Sequence, residues 1–321
     1  MLAVTCTSQS AEDPLSGLTI GERPEPEVPA GWARVTVKAA SLNHHDLWSL
    51  RGVGLPADRL PMTLGCDAAG VDEDGNEVVV HALVGDPDWV GDETLDPKRS
   101  ILSERYQGSL AEQVVVPRRN LLPKPAALSF EEAACLPTAW LTAYRMLFTN
   151  AAVKPGDRVL IQGAGGGVST AAIALARAAG LVVWVTGRDE AKRSRAVELG
   201  AHEAFEPGAR LPARVDAVIE TVGKATWSHS MKSLRPGGTL VVSGATTGPD
   251  PSADLNRLFF LQLRVIGSTM GTRDELAGLI SMMAATGLRP QVDEVIPLAD
   301  ARRGFERLAA GDVVGKLVLT P

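Results

Sequence analysis

Apolar and polar residues follow one rhythm up to about residue 120 and another beyond it. In the first stretch the apolar runs are short. Residues 33–39 alternate apolar with polar at period two, which predicts a half-buried strand, and residues 78–80 and 114–116 are brief β-branched runs. Gly31, Gly52, Gly54, Pro56, Pro61, Gly65 and Gly70 punctuate them. This texture predicts loop-rich β structure, nearer a small barrel than a layered sheet. Further on, Ser129 with Glu132 three residues later predicts a capped helix start. A helical pattern of small residues then runs to about 150, interrupted by Pro137. Strands are expected at 159–161, 181–185, 215–220, 239–243 and 265–267, with helices from about 168 and at 191–199 and 225–234. Such alternation predicts an α/β doubly wound parallel sheet. After residue 272 come a helix to about 286, a strand near 295, a helix over 300–309 and a strand over 316–319. The expected organisation is a first domain over 1–120, completed by 271–321, and a second over 121–270.

One stretch organises the rest. The apolar run 159–161 leads into Gly163-Ala-Gly-Gly-Gly-Val168, and a helical pattern with Ile173 and Leu175 among alanines follows. Glycines allow a tight turn and a close approach of an anion to the main chain. The helix that follows directs free N–H groups and its positive dipole end at that turn. Gly163 and Gly165 fit the dinucleotide-binding fingerprint, while Val168 or Ser169 stands where its third glycine is expected. The strand, turn, helix and strand together are the context that the fingerprint requires.

Composition narrows the options. The net charge of −6 offers no footprint for nucleic acid or an anionic membrane. No apolar run approaches the ~20 residues of a membrane helix, and no secretory signal is visible at the N-terminus. Cys6, Cys66 and Cys135 are three widely spaced cysteines, a pattern suited to a reducing cytoplasm and not to a disulfide framework.

Eight segments, taken in order, resemble the medium-chain dehydrogenase/reductase superfamily, and within it the quinone-oxidoreductase-like branch. They are Ser41-Leu-Asn-His-His-Asp-Leu-Trp, Leu64-Gly-Cys-Asp-Ala-Ala-Gly, Gly108-Ser-Leu-Ala-Glu-Gln, Ala139-Trp-Leu-Thr-Ala-Tyr-Arg, the glycine turn, Leu234-Arg-Pro-Gly-Gly-Thr, Gly267-Ser-Thr-Met-Gly-Thr and Gly315-Lys-Leu-Val-Leu. The resemblance implies a GroES-like β-barrel domain, a Rossmann domain and hydride transfer to or from a nicotinamide cofactor. Many relatives carry a catalytic zinc held by Cys, His and Cys. Here those positions fall on Asn43, Cys66 and, nearly, Thr138, and the stretch 86–106 lacks the four cysteines of a structural zinc. Asn and Thr are poor zinc ligands, so no metal is expected. An improvised site of Cys66, His44 or His45, and Asp46 is the alternative.

A site without a Lewis acid favours reduction of a quinone, enone or other small carbonyl compound. Asn43, His44, His45, Asp46 and Tyr106 are the candidates for the hydrogen bond and the proton, and the resemblance places Asn43 and Asp46 near the nicotinamide. It also implies cofactor contacts at Thr142, Gly163, Gly165, Gly166, Gly167, Val168, Val222, Gly244, Ala245, Thr246, Ser268, Thr269 and Met270. Binders of NAD carry an acid about 20 residues past the first glycine. Counted back from Leu199-Gly200, that position is Gly187, followed by Arg188 and Lys192. A missing acid beside two cations predicts NADP(H) over NAD(H). Asp189 is either a helix cap or the ribose acid displaced along the chain. The apolar segment 258–267 predicts an edge strand paired with its copy in a homodimer. Two alternatives remain: a zinc-type alcohol dehydrogenase relative, and a non-catalytic NADPH-binding sensor or structural protein.

Overall fold

Val159, Leu160 and Ile161 are completely buried, as a parallel strand covered on both faces requires. In the computed structural model, which describes residues 1–321, their strand Arg158–Gln162 is central to a six-stranded parallel sheet. The spatial order is Glu203–Phe205, Val182–Thr186, Arg158–Gln162, Val215–Glu220, Leu234–Val242 and Arg264–Gly267. The chain therefore runs outward on one side of Arg158–Gln162 and then resumes on the other. That reversal makes a topological switch point, and ligands of such sheets bind beyond the carboxyl ends of the strands there. Helices Gly167–Ala178, Glu190–Glu198 and Lys224–Ser233 connect the strands. This body comprises residues 140–269 and 286–288.

The other body comprises residues 1–139, 270–285 and 289–321. Its hub is the strand Trp32–Ser41, with Ala33, Val35, Val37 and Ala39 buried while Thr36 and Lys38 are exposed. It pairs antiparallel with Ala69–Asp72, Gln113–Pro117 and Lys316–Thr320. The last pairing, Val318 opposite Ser41, builds the C-terminal strand into the N-terminal sheet. Val35, Leu42, Leu50, Leu64, Leu110, Phe305 and Leu317 share one apolar core.

The first compact unit runs on to residue 139, past the change of pattern near 120. The reason is local: Leu121–Pro123 pairs with Glu77–Val80, and helix Phe130–Ala133 packs on the same sheet. The helical pattern after Ser129 runs to Asn150 as expected: after helix Phe130–Ala133 and a break at residues 134–135 it continues as one helical run, with π-helical turns Leu136–Trp140 and Arg145–Asn150 on either side of the α-helical Leu141–Tyr144.

Candidate functional site

At the end of the hub strand, chain direction and register gather a buried polar cluster. Antiparallel pairing sets Leu317 beside Leu42, whose N–H donates to the Leu317 carbonyl over 2.9 Å. The side chain of Lys316 is thereby carried to Asn43. Its Nζ donates to the Leu42 carbonyl at 2.7 Å, to Asn43 Oδ1 at 2.5 Å and to Asp67 Oδ2 at 3.3 Å. Three protons meet three acceptors, as a lysine only 3% exposed requires. Asp67 is wholly buried and also accepts from Ser41 Oγ at 2.6 Å and Asn43 Nδ2 at 2.8 Å. The ammonium on one side and the carboxylate on the other fix which way the Asn43 amide points. Only Asp67 Oδ1 in this group is buried without a partner.

The three positions that the resemblance matches to zinc ligands meet in space. Asn43 Nδ2 is 3.6 Å from Cys66 Sγ, and Cys66 Sγ is 3.3 Å from Thr138 Oγ1. Their chemistry is another matter. Asn43 turns an N–H toward the sulfur and gives its oxygen to Lys316, and Thr138 offers a neutral hydroxyl. Burial pushes the Cys66 thiol above its ordinary pKa, against the opposing pull of His45. No group of three or more His, Cys, Asp or Glu side chains is arranged to hold a metal. Zinc needs three or four convergent, deprotonated ligands, so these residues do not fit it.

His45 lies on the helix His44–Leu50. Its Nε2 is 3.1 Å from Glu104 Oε1, and its Nδ1 is 3.5 Å from Ser103 Oγ. Burial works against its charge, but the Cys66 thiol and the Glu104 carboxylate outweigh that and hold the imidazole well above its usual pKa. Burial likewise opposes ionisation of Glu104, yet His45 and the Ile101 N–H keep it below the usual carboxylate value. A charged imidazolium held by a carboxylate is a proton source at neutral pH.

The other candidates are placed differently. His44 is exposed at the surface. Asp46 is fully buried, and its two oxygens accept from Asn43 N at 2.8 Å and Gly65 N at 2.9 Å. It ties two loops together and has no free edge for substrate. Tyr106 packs its ring on Trp32, centroids 5.1 Å apart, at the opposite end of the hub strand from Ser41. Asn43 alone of the nominated acid and hydrogen-bond residues sits in the cluster. Glu104 and Lys316 were not nominated.

In the sheet body the glycine turn begins at Gly163, whose φ of +92° suits only glycine. Helix Gly167–Ala178 starts after Gly166, so Gly165, Gly166, Gly167 and Val168 surround its free N–H groups. The Val222 carbonyl accepts from Thr247 N and Thr247 Oγ1, both at 2.8 Å. Gly223 passes so close to Ala245 that a Cβ would lie 2.8 Å from its Cα. Val222, Gly244, Ala245 and Thr246 are thus stitched into one loop cluster. Beneath it the buried Glu220 accepts from Val222 N at 2.8 Å and Gly223 N at 3.0 Å. Ser268 Oγ donates to Asn150 Oδ1 at 3.1 Å, with Thr269 next in the chain. Thr142 is buried on helix Leu141–Tyr144, and Met270 begins the return into the other body with φ +50°.

The strand Val182–Thr186 leads to Gly187, at the position where an acid is expected in NAD sites. Asp189 caps the next helix, its Oδ1 accepting from Lys192 N at 2.8 Å. Arg188 is exposed. Arg193, absent from the sequence reading, reaches back to this spot with Nη1 2.7 Å from the Gly187 carbonyl and 3.1 Å from that of Arg188.

A parallel sheet with a glycine turn at its switch point and a GroES-like body in one chain mark an NAD(P)-dependent oxidoreductase. Residues 29–126 match the alcohol dehydrogenase GroES-like domain, and residues 167–285 match the family described as zinc-binding dehydrogenase. The zinc-type alcohol dehydrogenase-like protein of Schizosaccharomyces pombe is 30% identical over 96% of this chain and 97% of its own. A solved NAD-dependent alcohol dehydrogenase superposes with TM-score 0.93 at 34% identity, all of both chains being covered. The 2-octenoyl-CoA carboxylase reductase CinF, solved with NADP and 2-octenoyl-CoA, gives TM-score 0.90 at 27% identity over 99% of this chain and 87% of that one. The chain belongs to the medium-chain dehydrogenase/reductase superfamily.

Proposed function

We propose that this protein is an NADPH-dependent, zinc-independent reductase that transfers hydride to a small quinone, enone or other carbonyl substrate. One observation supports this above the rest. At the meeting point of Asn43, Cys66 and Thr138 the fixed positive charge is the Lys316 ammonium, 2.5 Å from Asn43 Oδ1. A metal ion there would lack ligands and would face a buried cation. The alternative of a zinc-type alcohol dehydrogenase therefore has no donor set in this chain.

When bound, the reduced nicotinamide supplies the hydride. The glycine turn and the first N–H groups of helix Gly167–Ala178 suit its pyrophosphate. Gly187 leaves no carboxylate to repel a 2′-phosphate, and Arg188 and Lys192 stand nearby in sequence. Thr142, Val222, Gly244, Ala245, Thr246, Ser268, Thr269 and Met270 are the proposed remaining contacts. For the proton, His45 is the donor we favour over His44, because Glu104 holds its imidazole charged. Hydride adds to the electron-poor carbon, and the enolate or alkoxide oxygen formed takes the proton from the imidazolium. Asn43 holds the Lys316 ammonium and the Asp67 carboxylate in place at the site, and Asp46 holds the Asn43 backbone.

The edge strand Arg264–Gly267 and the neighbouring helix Leu255–Phe260 leave Leu255, Phe259, Phe260 and Val265 exposed, Phe260 by 78%. Pairing that edge with a second copy would cover them, so a homodimer is part of the proposal. The free thiols of Cys6, Cys66 and Cys135 are all buried, which suits a reducing cytoplasm. No helix is long and apolar enough to cross a membrane. The functional test is NADPH oxidation against a panel of quinones and enones. Turnover of at least one class is expected. Tight NADPH binding with no turnover on any of them would support a non-catalytic NADPH-binding protein instead.

A further inference from the structure

The end of strand Val182–Thr186 holds a cation where the NAD pattern has an anion. Arg193, on the helix Glu190–Glu198, folds its side chain back so that Nη1 donates to the Gly187 carbonyl at 2.7 Å and the Arg188 carbonyl at 3.1 Å. Its side chain is only 16% exposed. The carboxylate within reach of its Nη2 is Glu206, at 3.8 Å and itself 79% exposed, a pairing that solvent screens heavily. The guanidinium is therefore fixed by two main-chain oxygens rather than neutralised by an acid. Nε and Nη2 remain, and these two nitrogens form one of the forks that take a phosphate or carboxylate bidentately.

Position 187 reinforces this. A Cβ there would lie 2.8 Å from Ala164 Cβ and 3.2 Å from Arg193 Cγ. A ribose-binding carboxylate could not be placed at 187 without displacing both neighbours. Asp189 is already engaged at the helix start. Of the nearby cations, Arg188 is exposed and has its rotamers still to lose on binding. The ordered guanidinium has lost that freedom already.

We propose that Arg193 is the main specificity-determining residue for a phosphate monoester on the 2′-hydroxyl of the cofactor's ribose, with Arg188 secondary. This rests on the reading of the chain as an NADPH enzyme and names the group that makes it so. The contact is a bidentate, charge-assisted pair, of the kind whose loss weakens binding about tenfold to a hundredfold.

The test is equilibrium binding, with no turnover needed. NADPH, NADH, adenosine 2′,5′-bisphosphate and adenosine 5′-monophosphate are each titrated against wild type, Arg193→Gln, Arg193→Lys and Arg188→Ala. For Arg193→Gln, NADPH and the bisphosphate should weaken about tenfold or more, with NADH and the monophosphate changing by less than about twofold. Arg193→Lys, which keeps the charge without the fork, should lose less, and it replaces the glutamine variant should that not fold. Arg188→Ala should lose less than Arg193→Gln. Equal losses for phosphorylated and unphosphorylated ligands would overturn the inference, because Arg193 would then only hold the strand end. So would a larger phosphate-specific loss in Arg188→Ala. Wild type is measured first: tighter NADH than NADPH there would reject the cofactor reading itself, and this inference with it.

Discussion

Lys316 and Asn43, 273 residues apart in sequence, are hydrogen-bonded because the last strand of the chain pairs with the hub strand in the register that sets Val318 opposite Ser41. A slip of one residue would point the lysine at the opposite face of the sheet. The polar cluster therefore cannot form until the two ends of the chain have met.

Removing that ammonium leaves Asp67 as an uncompensated buried charge. Lys316→Met should destabilise the fold by about 3–5 kcal/mol, read by urea unfolding. Adding Asp67→Asn to Lys316→Met should recover a large part of the loss. If the single variant unfolds at the wild-type denaturant midpoint, the ammonium and the carboxylate do not depend on each other.

Asp46 is assigned to structure and not to proton transfer. Asp46→Ala frees the N–H groups of Asn43 and Gly65, each worth about 1–3 kcal/mol when buried and unpaired. Stability should fall by that order. The pH dependence of any remaining turnover should keep its wild-type midpoint, and a displaced midpoint would return Asp46 to the chemistry.

The His45–Glu104 pair gives a pH window with two edges. His45 is held above the ordinary imidazole value of 6.5, so its contribution to stability is complete below pH 6.5 and is lost as pH rises through the folded value. Glu104 is held below the ordinary carboxyl value of 4.5, so its contribution is complete above pH 4.5 and is lost as pH falls further. The pair should therefore stabilise most between those limits. In Glu104→Gln the alkaline limb of the rate profile should move to lower pH, because the imidazolium loses its partner. An unmoved limb would mean that His45 is not the group that titrates.

The exposed edge is tested by mass. Phe260→Glu with Val265→Lys should convert a dimer to a monomer by light scattering at micromolar concentration, while the far-ultraviolet circular dichroism is kept. A monomeric wild type would remove the homodimer from the account.

The cofactor fold was legible in the sequence because its signals are local. The run 159–161, the turn at Gly163 and the alternation after it carry their own periodicity, and each element formed within a few residues of its expected place. The capping role of Asp189 was legible as one of two readings, since a cap needs only the helix that follows it. Lys316, Glu104 and Arg193 were not legible. Glu104 meets His45 across 59 residues, and Lys316 meets Asn43 through strand pairing. Arg193 is near in sequence, but only the turn of its helix shows that the guanidinium folds back on Gly187. The adjacent histidines could not be ranked from composition, because the choice depends on which of them finds a carboxylate.

The central claim is hydride transfer from NADPH without zinc, and one measurement addresses it directly. The purified enzyme is dialysed against a chelator, its zinc content is determined by elemental analysis, and NADPH oxidation with its best quinone or enone substrate is followed before and after zinc is added back. The account predicts far less than one zinc per chain, turnover unchanged by the chelator, and no gain on adding zinc. One tightly held zinc per chain, or activity lost to the chelator and restored by the metal, would contradict it.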